Sequence, residues 1–164
     1  MFVHGILSTH ANTFNDMIRG FQKDSRFDDW ELCWFDYDFH DEMPRNGRDL
    51  NKHLARNYGE GDEVIIIGHS MGGLIGRFAI LWEKMPFVKK LLMLGTPNLG
   101  AFRTHHLALL SQMVLKGTHR VYGLFSRKQG ILDLTRVPAP FMEQRKRFEN
   151  ARHAEYVTIP GLYF

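Results

Sequence analysis

A largely parallel α/β sheet flanked by helices is the fold this sequence predicts, and three observations predict it. Short apolar runs alternate with stretches whose apolar residues fall at helical spacing. One run, Val64-Ile65-Ile66-Ile67, is β-branched and unbroken, as a central strand covered on both faces by helices requires. Gly68-His69-Ser70-Met71-Gly72-Gly73 follows it at once, where the chain must turn sharply into a helix. The 164 residues, 44% hydrophobic and 24% charged, suit one domain with one core rather than a disordered chain.

Phe2-Val3 is a strand stub that ends in the glycine loop His4-Gly5. Phe14, Met17, Ile18 and Phe21 then mark an amphipathic helix over 13–21, with Asn12 or Thr13 as its cap. The aromatic run Trp30 to Tyr37 predicts a strand leading into an acidic loop. Leu50, Leu54 and Tyr58 set a second helix over 46–58, which Gly59 and Gly61 stop. After the Val64 strand, residues 71–84 form a third helix, and Val88 to Leu94 a strand that ends at Gly95-Thr96-Pro97. Strand and helix in strict alternation imply parallel pairing. Residues 101–153 break that rhythm with helical pieces around 105–115 and 141–149 before Tyr156 to Ile159 restores a strand.

A single cysteine, Cys33, excludes an internal disulfide framework and a thiolate zinc cluster, and makes a reducing, cytoplasmic setting the default. No apolar run reaches the roughly 18–20 residues of a membrane span, and the start lacks the regions of a secretory signal. Residues 1–100 hold 11 basic and 14 acidic side chains, whereas 101–152 hold 10 and 3. That basic segment suits a well-solvated surface first and contact with an anionic membrane surface second; no nucleic-acid motif accompanies it. Among the other histidines, His40, His53, His105, His106 and His119 show no metal-ligand spacing, so no metal is expected, and they read as surface residues. Asp36, Asp38 and Asp41, beside His40, fall in a loop at the edge of any site on this sheet.

Ser70 is the residue that carries chemistry. A serine on so sharp a turn needs small neighbours, which Gly68 and Gly72 supply, while Gly73 lets the helix pack close. The turn holds the hydroxyl above the C-terminal edge of the sheet, at the positive end of the next helix. If the Phe2-Val3 strand neighbours the Val64 strand, the backbone amides of Ile6 and Met71 both point at an oxygen beside Ser70.

Together, Phe2-Val3-His4-Gly5-Ile6, the turn at Ser70 and the strand end Leu92 to Gly100 resemble the α/β-hydrolases, specifically the lipase-like and GPI-inositol-deacylase-like serine hydrolases. The resemblance covers 1–100, weakens through 101–153 and returns at 156–161. It implies a single, partial α/β-hydrolase domain over 1–164, with 101–153 as a lid-like insertion. It implies Ser70 as nucleophile, Ile6 and Met71 as oxyanion amides, and Gly95-Thr96-Pro97 as site wall. Acyl-ester or lipid-like substrates and no cofactor follow from the same likeness. In this family the acid and the histidine come after the serine, which places both beyond Phe164 and a chain extension or further domain with them. Asp133 and His153 are in the right order but sit before the last strand, and are the weaker candidates. Met85, Phe87, Met113, Leu115, Phe125, Phe141 and Met142 are available either for an acyl pocket or for the core. A hydrolase-like module that binds without catalysing is the alternative.

Overall fold

Five parallel strands form one sheet in the order β2-β1-β3-β4-β5, in a computed structural model that describes residues 1–98 and 154–159. The strands are β1 (Phe2–Val3), β2 (Trp34–Phe35), β3 (Val64–His69), β4 (Val88–Leu94) and β5 (Glu155–Ile159); the helices are α1 (His10–Gln22), α2 (Met43–Asn57) and α3 (Met71–Trp82). The expected helical pieces at 105–115 and 141–149 lie outside the described residues.

Helix boundaries moved from their expected places for local reasons. The cap of α1 is Thr9, whose hydroxyl accepts from the Asn12 N–H at 3.4 Å, and not Asn12 or Thr13. Helix α2 begins at Met43 rather than 46, because Pro44 sits in the first turn, where its missing N–H costs nothing. Helix α3 stops at Trp82, two residues short of expectation. Its end is tied down by Asn51, buried on α2, which donates to the Ala79 carbonyl at 2.9 Å. That carbonyl belongs to the last helical turn, which has no partners of its own. Of the aromatic run Trp30 to Tyr37, only Trp34 and Phe35 pair with β1.

Among the described residues the two faces of strand β3 are not equally covered. Val64 and Ile66 are buried, and Ile66 and Leu91 meet α3 at Gly76, with α2 packed against α3 behind it. Ile65 and Ile67 alternate to the other face and are only half-buried. Among the described residues that face carries α1, which is anchored to one side, where Phe14 and Phe21 pack on Phe2 with ring centroids 5.1 and 6.1 Å apart. Met85 is buried in the core and Phe87 packs against it, both next to the start of β4 and so at the end of the sheet away from Ser70. They are core residues, not pocket lining.

Candidate active site

A single residue, Ser70, separates β3 from α3, and its backbone sits at φ 51°, ψ −121°. This conformation costs a residue with a side chain about 1–3 kcal/mol. Two opposed demands impose it. The Ser70 N–H donates to Leu94 of β4 at 2.9 Å and so continues the sheet, while its carbonyl accepts from the Gly73 N–H at 3.2 Å and so starts the helix. A Cβ at Gly68 would lie 2.5 Å from the Cα and N of Gly73, so strand and helix backbones touch across the turn. The obstruction at Gly72 is different from that expected: a Cβ there would strike not the turn but the end of β1, 2.7 Å from the Val3 carbonyl carbon and closer still to the Val3 and His4 oxygens. Serine at a helix N-cap ordinarily accepts from the first turn. Here the Ser70 hydroxyl makes no such bond, and among the described residues none hydrogen-bonds to it.

The loop after β1 lies directly on this turn. A Cβ on Gly5 would come within 3.1 Å of Ser70 Cβ and 3.0 Å of His69 Nδ1. Ile6 follows Gly5, and Met71 follows Ser70, so the two expected oxyanion residues flank the serine through their immediate neighbours. Neither the Ile6 nor the Met71 N–H has a hydrogen-bond partner among the described residues. His69 itself lies against Gly5, and partial desolvation lowers its pKa, keeping the ring neutral near pH 7.

The acidic loop after β2 is more organised than its sequence indicated. His4 is 2% exposed; its Nδ1–H donates to Gly5 O at 2.8 Å, and its Nε2 faces the Tyr37 N–H at 3.5 Å and Asp36 at 3.6 Å. Asp36 also holds His10 Nδ1 at 2.7 Å, with the His10 ring stacked on Trp34. His40, expected to be a surface residue, has its Nδ1 2.6 Å from Asp38, while its Nε2 is buried with no partner among the described residues. The Asp-x-His spacing was the signal for that pair. Asp41 makes an exposed ion pair with Arg45 at 3.6 Å, and His53 packs on Phe35.

Behind the turn, the residues expected as a wall follow β4: Gly95 has φ 56° and the Thr96 side chain lies against Gly73. Arg77 donates to Asn98 Oδ1 at 2.8 Å and ties that wall to α3. Two clefts of about 440 and 220 Å³ border Cys33 and Tyr58 near the N-terminal ends of the strands, away from Ser70. No group of three or more His, Cys, Asp or Glu that could hold a metal occurs among the described residues, nor any helix long and apolar enough to cross a membrane. Asp133, His153, the basic segment 101–152 and the apolar residues from Met113 to Met142 lie outside the described residues.

Among solved structures, the mature lipase BlEst2 of Bacillus licheniformis matches with a TM-score of 0.72 and 25% identity, over 96% of this chain and 62% of that one. Phospholipase PlaB of Legionella pneumophila matches with a TM-score of 0.62 and 20% identity, over 96% of this chain and 38% of that one. This chain therefore spans less than two thirds of the length of either. No curated protein sequence matches it. The parallel sheet, its flanking helices and these matches are those of the lipase-like α/β-hydrolases. The model of the PGAP1-like alpha/beta domain matches residues 2–117, and with the fold already in place this chain belongs to that family.

Proposed function

We propose that this chain carries the nucleophile and the oxyanion site of a serine hydrolase that cleaves carboxylic esters, with lipid-like acyl esters as substrates. The observation that carries the proposal is the backbone of Ser70, held at φ 51° between sheet and helix with its hydroxyl unused by the helix it caps. Strain of this kind persists where function maintains it. The hydroxyl attacks the ester carbonyl, and an imidazole takes its proton. The negative oxygen that results is met by the Ile6 and Met71 amides, whose lack of any other partner among the described residues supports the role. Collapse of this intermediate breaks the ester C–O bond and expels the alcohol, which takes the proton back from the imidazolium; water then hydrolyses the acyl-enzyme to the acid, with the Ser70 hydroxyl restored and no cofactor needed. No described histidine hydrogen-bonds to Ser70, so the base and its carboxylate come from residues outside those described. That same observation favours a second reading, a hydrolase-like module that binds an acyl ligand without cleaving it.

Fluorophosphonate labelling of the full-length protein, read by intact mass, separates the two. Stoichiometric labelling that Ser70→Ala abolishes is the expected result, together with Ser70-dependent hydrolysis of a p-nitrophenyl ester. A folded protein that neither labels nor hydrolyses rejects the enzyme and leaves the binding module.

A further inference from the structure

The direction of the Ile6 N–H is set from the peptide plane before its own, by a residue in the loop that follows β2. Among the described residues every peptide bond is trans. In a trans peptide the carbonyl and the N–H of the next residue point opposite ways in one plane. The Gly5 carbonyl accepts from His4 Nδ1 at 2.8 Å, so the His4 ring fixes the plane that contains the Ile6 N–H. The plane before it, holding the His4 carbonyl, is fixed by the Tyr37 hydroxyl, which donates at 2.9 Å. Tyr37 also stacks on the His4 ring, with centroids 4.4 Å apart and an interplanar angle of 10°, and its N–H faces His4 Nε2 at 3.5 Å. One side chain thus grips both the ring and the carbonyl of His4. Gly5, between the two planes, has no side chain to restrict it, so the restriction must come from these bonds.

We infer that Tyr37 is a positioning residue for the oxyanion site, acting through His4 to aim the Ile6 amide at the oxygen formed beside Ser70. Burial pushes the Tyr37 phenol up and keeps it protonated, so it serves the His4 carbonyl as a donor across the working pH range. This role rests on the assignment of Ser70 as nucleophile.

The test compares full-length protein with its Tyr37→Phe variant, which keeps the stacked ring and loses only the donor. Tyr58→Phe, which removes a hydroxyl bonded to Cys33 at the far end of the sheet, is the control. With a short-chain p-nitrophenyl ester, Tyr37→Phe is expected to lower kcat about tenfold, the rate equivalent of one hydrogen bond. KM should stay within about twofold, since the oxyanion forms after binding. Inhibition by a trifluoromethyl ketone, which forms a tetrahedral adduct on the serine, should weaken by the same factor. Amide exchange at Gly5 to Leu7 should quicken in Tyr37→Phe and not in Tyr58→Phe. A 3-fluorotyrosine at position 37, which keeps both shape and donor, should retain the parental kcat and guards against loss of fold as the explanation. Unchanged kcat in Tyr37→Phe, a loss shared by Tyr58→Phe, or a loss equally large with fluorotyrosine overturns the inference alone. Absence of any Ser70-dependent turnover in the unaltered protein overturns the nucleophile assignment, and this inference with it.

Discussion

Substituting Gly72 tests whether the joint between β1 and α3 is as tight as it looks. In most helices Gly→Ala stabilises by up to about 1 kcal/mol. Gly20 in α1 is such a place, with nothing within 4 Å of an added Cβ. At Gly72 the added atom meets backbone of β1 rather than a side chain that can rotate away, so helix and strand must part. Reaching ordinary contact near 3.4 Å demands a separation of about 1 Å. Overpacking of this kind costs about 1–3 kcal/mol. Gly72→Ala should therefore melt about 3–10 °C below the parent, and Gly20→Ala about 1–3 °C above it. The same displacement carries the Ile6 amide away from Met71, and misplacement by about 1 Å at a reacting centre costs about 100-fold. Thermal melts give the first quantity and fluorophosphonate labelling rates the second. A Gly72→Ala protein that melts at or above the parent, or labels at the parental rate, refutes the account of the joint.

Relief of the Ser70 backbone should appear as stability: Ser70→Gly is expected to gain about 1 kcal/mol in urea unfolding while losing all labelling, and a destabilised variant would contradict the strain. Asn51→Leu strands the Ala79 carbonyl inside the α2–α3 interface and should cost about 1–3 kcal/mol by the same measurement, whereas a neutral result would show that the carbonyl finds another donor. Tyr37 contributes to the alkaline limit of stability. Its folded pKa lies above the unfolded value of about 10, so its contribution is complete below pH 10 and is lost as pH rises beyond it. Urea midpoints should fall between pH 9 and pH 11, and fall less in Tyr37→Phe; equal declines in the two proteins would show that the phenol is not desolvated.

Most of the sheet was legible because its signals are local. Val88–Leu94 is a strand over the residues its apolar run marks, and the turn at Ser70 was evident from glycine spacing after a β-branched run. Boundaries were harder where several residues carry the same signal. Thr9, Asn12 and Thr13 are all good caps, and only the fold selects Thr9. Pro44 marked the start of α2, but the apolar spacing, which begins at Leu50, drew attention further in. The aromatic run Trp30 to Tyr37 has the composition of a strand throughout, yet β1 offers only two residues with which to pair. The His10–Asp36 contact and the Tyr37 clamp on His4 were not readable, since each joins the segment after β1 to the loop after β2, whose adjacency is a product of the sheet order. Why Gly72 is glycine was half legible: the need for a small residue shows in the sequence, but the partner that enforces it comes from β1.

Strand β5 joins the sheet by pairing with β4 from Lys90 to Leu94, with Lys90 meeting Glu155 at 2.9 Å and the Gly95 N–H reaching Ile159 O at 2.9 Å. Strand β4 itself is joined to β3 through the short α3 crossover, whereas β5 comes back only after the whole stretch from Gly95 to Ala154. Closing so long a span must precede any reward from the pairing, and such contacts form late in folding. Assembly therefore proceeds outward from β3, α3 and β4, and the turn that bends Ser70 takes shape before the last strand arrives.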